Sequence, residues 1–123
     1  MTTKPDRLET EANLWFAATR SDGRPHLTPI WFVWVNEKIW LCTQKQAVKA
    51  RIVASRPSVS FALEDGNRPV TAEGTARLIE IQAAPLAVHA RFQTKYTWDV
   101  NDDNENVFIE ISINKWLEPS NTE

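Results

Sequence analysis

Between Thr43 and Arg56 the chain carries Lys45, Lys49, Arg51 and Arg56 and not one acidic residue. Cations gathered in that way suit an anion. A helix N-terminus would strengthen such a site, because its free N–H groups and its dipole both favour negative charge. The run Thr43-Gln44-Lys45-Gln46 has the form of a capping box, with Thr43 as N-cap and Gln46 at the third helical position. It predicts a helix from Thr43 to about Arg56, where Pro57 stops it. A phosphate among these cations is the sharp reading; a solvated basic face is the plain one.

A second stretch, RPHLTPIWFVWV from Arg24 to Val35, poses a different question. Ile30 to Val35 is apolar at every position, whereas a strand with one wet face alternates. Such a strand must be covered on both sides. One face, Leu27-Trp31-Val33 or Ile30-Phe32-Trp34, fills a core. The other meets a partner chain, a helix or a flat ligand. Pro29 cannot donate a ladder hydrogen bond, so a break or bulge is expected just before the apolar run. There Thr28 and the neighbouring carbonyls can turn to a ligand.

Other reactive residue types carry less. Cys42 is the only cysteine, which rules out an intramolecular disulfide and a cysteine zinc cage. His26 and His89 stand far apart without metal-ligand spacing, so structural roles are expected for both. Asp99, Asn101, Asp103, Glu105 and Glu110 fall at the oxygen-ligand spacing of a calcium loop. The glycine such a loop needs is Asn104, and Glu110 falls in a predicted strand. A solvated acidic loop without metal is therefore the expectation. No side chain is singled out as catalytic.

The elements that must position these residues are read from 123 residues with a formal net charge of −2. That balance argues against a general binder of nucleic acid or of membrane surfaces. No apolar stretch approaches the length of a membrane span, and the N-terminus, MTTKPDRLETE, has no signal-peptide core. One cytoplasmic domain over 1–123 is expected. Asp-Gly turns at Ser21–Pro25 and Glu64–Pro69 mark hairpins. Strands are predicted at Leu14–Arg20, His26–Asn36, Lys38–Thr43, Ser58–Glu64, Val70–Ile81 and Val107–Asn114, with a tight turn at Asn36-Glu37. Gly74, inside the fifth, points to a bulge or a close backbone approach. Besides the helix after Thr43, another starts near Pro85, where Val88, Phe92 and Tyr96 form one apolar stripe, and a short one is possible before Asn13. The expected fold is mainly β: a six-stranded antiparallel barrel with helices packed outside.

GRPHLTPIWFVW, KIWLCT, KAR, RPSVSFALEDGNRPV and AEGTARLI, in that order and spacing, resemble the flavin-binding split-barrel superfamily, whose named member is pyridoxamine 5′-phosphate oxidase. The resemblance is strongest to its small flavin- or deazaflavin-dependent reductases and covers about Leu14 to Trp116. It implies a homodimer of split barrels, with FMN at the subunit interface and hydride or electron transfer to a small-molecule substrate. The deazaflavin coenzyme F-420, or a non-catalytic flavin or haem carrier, is the alternative. It further implies that His26, Thr28, Pro29, Ile30 and Trp31 line the flavin, that Cys42 and Thr43 lie beside it, and that Lys49 and Arg51 hold the phosphate. The other face of the apolar strand would then be dimer interface and flavin wall. Two departures stand out: Arg51 is followed by Ile52-Val53, where the family often has Arg-Asn, and nothing matches the substrate-binding C-terminal segment of true pyridoxamine phosphate oxidases. That particular reaction is not expected.

Overall fold

The computed structural model describes residues 4–117; positions 1–3 and 118–123 of the expected 1–123 domain lie outside the described residues. Six strands form a closed antiparallel barrel: β1 (Asn13–Thr19), β2 (Pro25–Val35), β3 (Lys38–Gln44), β4 (Ser58–Leu63), β5 (Thr71–Glu80) and β6 (Asn106–Leu117). Around the ring the order is β1-β2-β3-β6-β5-β4. Three helices, α1 (Lys4–Thr10), α2 (Val48–Ser55) and α3 (Leu86–Tyr96), lie against it. No helix among the described residues is long and apolar enough to cross a membrane.

The turns follow from backbone chemistry. Asn36 and Glu37 both take positive φ, 55° and 60°, as the tight hairpin between β2 and β3 requires. Gly23 closes the β1–β2 hairpin at φ 90°. In β5 the register with β6 shifts between Glu73 and Gly74. Gly74 also meets β6 closely: a Cβ there would stand 2.7 Å from Ile111 Cγ2 and from Ser112 O. Bulge and close approach thus coincide at one residue.

Alternation sorts the side chains into two cores. Inside the barrel, Phe16, Phe32, Leu41, Phe61 and Ile109 pack together, joined by Leu8 of α1 and by Ile52 and Val53 of α2. Fully burying a side chain of this size contributes roughly 1.5–3 kcal/mol. The second core lies outside the barrel wall, where Val88 and Phe92 of α3 cover Val33, Val35, Trp40, Cys42 and Phe108. Ile30, Phe32 and Trp34 therefore face the barrel interior, and a helix covers the end of the opposite face.

One expected helix start moves. Thr43 is no N-cap: β3 runs on through Gln44, pairing Thr43 with Val107 and Gln44 with Asn106. The Lys45 N–H then donates to Glu105 O at 2.8 Å. Continuing the ladder satisfies these backbone groups, so α2 starts only after Ala47, whose side chain makes no capping bond. The acidic loop after α3 also turns inward on itself. Asp99 Oδ1 and Asp103 Oδ1 accept from the backbone N–H groups of Asn101 and Glu105, at 2.9 Å and 2.8 Å. Glu110 lies in β6 and pairs with Arg77 at 2.6 Å.

Replacing Gly74 with Ala should destabilise the fold by about 1–3 kcal/mol, because the new methyl meets backbone as well as a side chain. Urea unfolding is the check; an unchanged midpoint would show that β6 yields freely at Ser112.

Candidate functional site

The site begins where two neighbouring strands part. β2 pairs with β3 only from Phe32↔Leu41 to Val35↔Lys38. Towards its start, β2 continues to pair with β1 from Trp31 back to Pro25, while β3 continues to pair with β6 through Gln44. The Arg20 N–H donates to Arg24 O at 3.0 Å, which fixes the phase of the β1–β2 ladder. Even-numbered residues of β2 exchange bonds with β1; Leu27, Pro29 and Trp31 turn their backbone groups towards the side that β3 has left. Pro29, which has no N–H, sits where no ladder bond is lost.

Side chains along this edge alternate. His26, Thr28 and Ile30 share the interior face with Phe32, and Leu27, Pro29 and Trp31 share the outer one. On the outer face Trp15 of β1 stands opposite Pro29 and Asn13 opposite Trp31. Trp15, Leu27 and Trp31 are 42%, 61% and 44% exposed, so these side chains and Pro29 make an open apolar strip. Helix α3 stops short of it: Trp31 stacks one ring face on Tyr96, with centroids 4.4 Å apart and 8° between planes. Tyr96 Oη accepts from the Phe32 N–H at 3.0 Å and lies 2.6 Å from Ala12 O and 2.9 Å from Phe32 O. Lys95 Nζ also donates to Phe32 O, at 2.9 Å, and sits over the Phe32 ring. Burial, with Arg91 nearby, pulls the Lys95 ammonium down to about 8.

The expected site residues do not all meet. Cys42 belongs to the outer core under α3 and is buried, and burial pushes its thiol up to about 12, which makes it a poor nucleophile. Thr43 is half-buried at the end of β3, on the interior parity of that strand with Leu41. Lys49 and Arg51, two apart on α2, point to different sides, as i and i+2 on a helix must. Lys49 is partly buried, and burial lowers its pKa. Its charge acts on His26, whose pKa is lowered first by burial and then by Lys49 and Arg20. Arg51 instead lines a cleft with Arg20, Arg24 and Arg56. Lys45 is drawn off to Glu80, 3.4 Å away.

Three polar atoms at the interior end of this edge are buried with no partner: His26 Nε2, Thr28 Oγ1 and Arg20 Nε. A buried polar group without a hydrogen bond costs on the order of 1–3 kcal/mol, so such atoms mark a place that a polar ligand would satisfy. Together with Lys49 they suit an anionic or hydroxyl-bearing group, and the parted β2 edge beside them suits a flat one. Arg20 and Arg24 escaped the reading of the sequence. The signal was present, since both flank the Asp-Gly turn and hairpin register returns them to one end.

The family model described as pyridoxamine 5′-phosphate oxidase matches residues 2–118. No curated protein matches the chain. Among solved structures, a conserved hypothetical protein from Mycobacterium tuberculosis is 27% identical, with a TM-score of 0.77 over 94% of this chain and 83% of its own. An F-420 reductase is 19% identical, with a TM-score of 0.74 over 95% and 98%. The haem storage protein HutZ from Vibrio cholerae is 18% identical, with a TM-score of 0.78 over 94% and 92%. The last two likenesses concern the fold alone.

His26 should titrate below its ordinary 6.5. The folded state then opposes the charged ring, so stability is full above about pH 6.5 and falls as pH drops through the window beneath it. Lys49→Ala should move the His26 titration, followed by NMR, upward. An unmoved value would separate Lys49 from His26.

Proposed function

Because the chain belongs to the pyridoxamine 5′-phosphate oxidase family, we propose that it is an FMN-binding oxidoreductase acting on a small-molecule substrate, with the flavin along the open β2 edge at an interface between two copies of the chain. The observation that carries the reading is the set of unpartnered polar atoms there, Thr28 Oγ1, His26 Nε2 and Arg20 Nε, beside the parted strand. Thr28 and His26 would hold the ribityl chain or phosphate, and Lys49 would supply the opposite charge. The backbone groups of Leu27, Pro29 and Trp31 would face the ring edge. Bound flavin supplies hydride or electron transfer, while the protein supplies binding and orientation. Thr43 completes the far wall of the gap. Cys42 is assigned no contact.

Two other cofactors remain as readings of the same edge. A likeness to an F-420 reductase supports the deazaflavin. Haem would need an axial ligand, and His26 is the histidine with a free Nε2, since His89 Nε2 is 2.9 Å from Ile81 O. The absorption spectrum of the purified protein separates all three.

Assembly follows from the outer strip. Trp15, Leu27 and Trp31 are exposed on adjacent strands, and an exposed apolar patch of this kind marks an interaction surface. A second copy of the chain related by a two-fold axis would cover it. The outer face of the apolar strand would then be divided, with α3 covering Val33 and Val35 and the second copy covering Leu27 and Trp31.

Two outcomes test this reading. Lys49→Ala should weaken FMN by about tenfold or more, the value of one charge-assisted bond to phosphate, and leave riboflavin, which lacks the phosphate, unchanged. Fluorescence quenching compares the two; equal FMN affinity in both proteins places the phosphate elsewhere. Sedimentation equilibrium should show a dimer at micromolar concentration, and Leu27→Glu should dissociate it. A wild-type monomer overturns the interface.

A further inference from the structure

The β1–β2 ladder stops short of what its register allows. Its hydrogen-bonded pairs run through Arg20/Arg24, Ala18/His26, Phe16/Thr28 and Leu14/Ile30, so Ala12 and Phe32 are next in phase. They do not bond to each other. The Ala12 N–H is drawn off to Glu64 Oε1 at 2.9 Å. The phenol of Tyr96 stands where the missing bonds would be. Its oxygen accepts from the Phe32 N–H at 3.0 Å and lies 2.6 Å from Ala12 O, within reach to donate. Lys95 Nζ takes Phe32 O at 2.9 Å.

Two consecutive residues of α3 thus hold one residue of β2, and the helix ends right there. Thr97, next in the chain, takes φ 52°, and its N–H returns to Gln93 O at 2.9 Å. A β-branched residue in the left-handed region carries a backbone cost that glycine would avoid. Strain kept in this way gathers at sites of function. The Tyr96 ring also stacks on Trp31, and Trp98 stands edge-on to the same indole, 6.0 Å away at 71°. Trp98 is itself tied down, its Nε1 donating to Asp102 Oδ2 at 2.9 Å.

The consequence reaches the open edge through one peptide group. The Phe32 N–H and the Trp31 C=O belong to the same trans amide and point opposite ways, the first to Tyr96 and the second to the side that β3 has left. Donation from the N–H polarises the amide and makes its carbonyl a stronger acceptor. We propose that Tyr96, with Lys95, is a positioning residue for the planar ligand of the split. By keeping Ala12 and Phe32 apart, the phenol fixes where the Trp31 N–H and C=O present themselves to the ring. The inference rests on the flavin reading above and adds to it a side chain on the far side of the strand from the ring. Without the phenol oxygen, Phe32 and Ala12 are free to close the next ladder pair, and Trp31 moves towards β1 with them.

Tyr96→Phe keeps the stack on Trp31 and removes only the oxygen. In the full chain it should weaken FMN and riboflavin alike, by about tenfold, because the ring and not the phosphate loses its seat. It should also shift the absorption bands of the bound flavin. Lys95→Met should weaken both flavins by a smaller factor. Val88→Ala, at a buried position about two turns earlier on α3, should lower the urea midpoint and leave both affinities within about twofold. Unchanged flavin affinities in Tyr96→Phe overturn the proposal and leave the flavin reading intact. An equal loss in Val88→Ala overturns it too, because α3 would then serve stability alone. So does a loss of FMN with riboflavin unchanged, which is the mark of a phosphate contact. Binding of neither flavin to the wild type overturns this inference and the flavin reading together.

Discussion

Phe32 is the point at which β2 must serve three masters. Its side chain fills the barrel, it is the last residue of β2 paired with β3, and its N–H and C=O are bound by Tyr96 Oη and Lys95 Nζ from α3. Below it the barrel closes in an ordinary hairpin. Above it the strands diverge, which would leave the β1 side frayed as well, because β1 begins only at Asn13. Tyr96 repairs that gap by joining Phe32 to Ala12 O. The split is thus held open at one edge and sealed at the other by a single phenol. Its hydroxyl is raised to about 12 by burial, so it keeps its proton throughout the physiological range.

From that constraint the division of α2 follows. A barrel parted between β2 and β3 exposes its interior at that end, and Ile52 and Val53 of α2 enter the core to close it. With that face committed inward, the helix offers its flanks to different neighbours. Lys49 falls towards His26; Arg51, with Val48 and Ser55, falls towards the hairpin. Two cations close in sequence are consequently turned to different neighbours. The hydrophobic plug sets their separation, and the charges follow it.

The barrel was legible because its strands advertise themselves by period. Val59, Phe61 and Leu63, or Ile109 and Ile111, can be buried only if alternation is respected, and Asp22-Gly23 and Asn36-Glu37 fix where the chain reverses. Gly74 was legible for a related reason: a residue without Cβ inside a strand marks the place where another backbone must come close. The start of α2 was not legible. Thr43-Gln44-Lys45-Gln46 satisfies the local rule for a helix cap, yet the ladder to β6 offers the same backbone groups partners from more than sixty residues away. A non-local pairing defeated a local motif.

The open edge of β2 was legible in the sequence, and the gathering of charges near it was obscure. His26-Leu27-Thr28-Pro29 betrays itself through a proline that no central ladder tolerates, and the parity of hydrogen bonding then says which backbone groups are free. Charges have no such periodicity. Arg20 and Arg24 are separated from Arg51 and Arg56 by two whole strands, and they meet only because β1 and β2 form a hairpin whose turn lies under α2. Pairing within the hairpin is local, packing of the hairpin on the helix is not, and the electrostatic character of the site depends on the second. In a chain whose overall charge is negative, the positive potential at this end of the barrel is therefore a property of topology, produced by four residues that composition alone would have counted as surface.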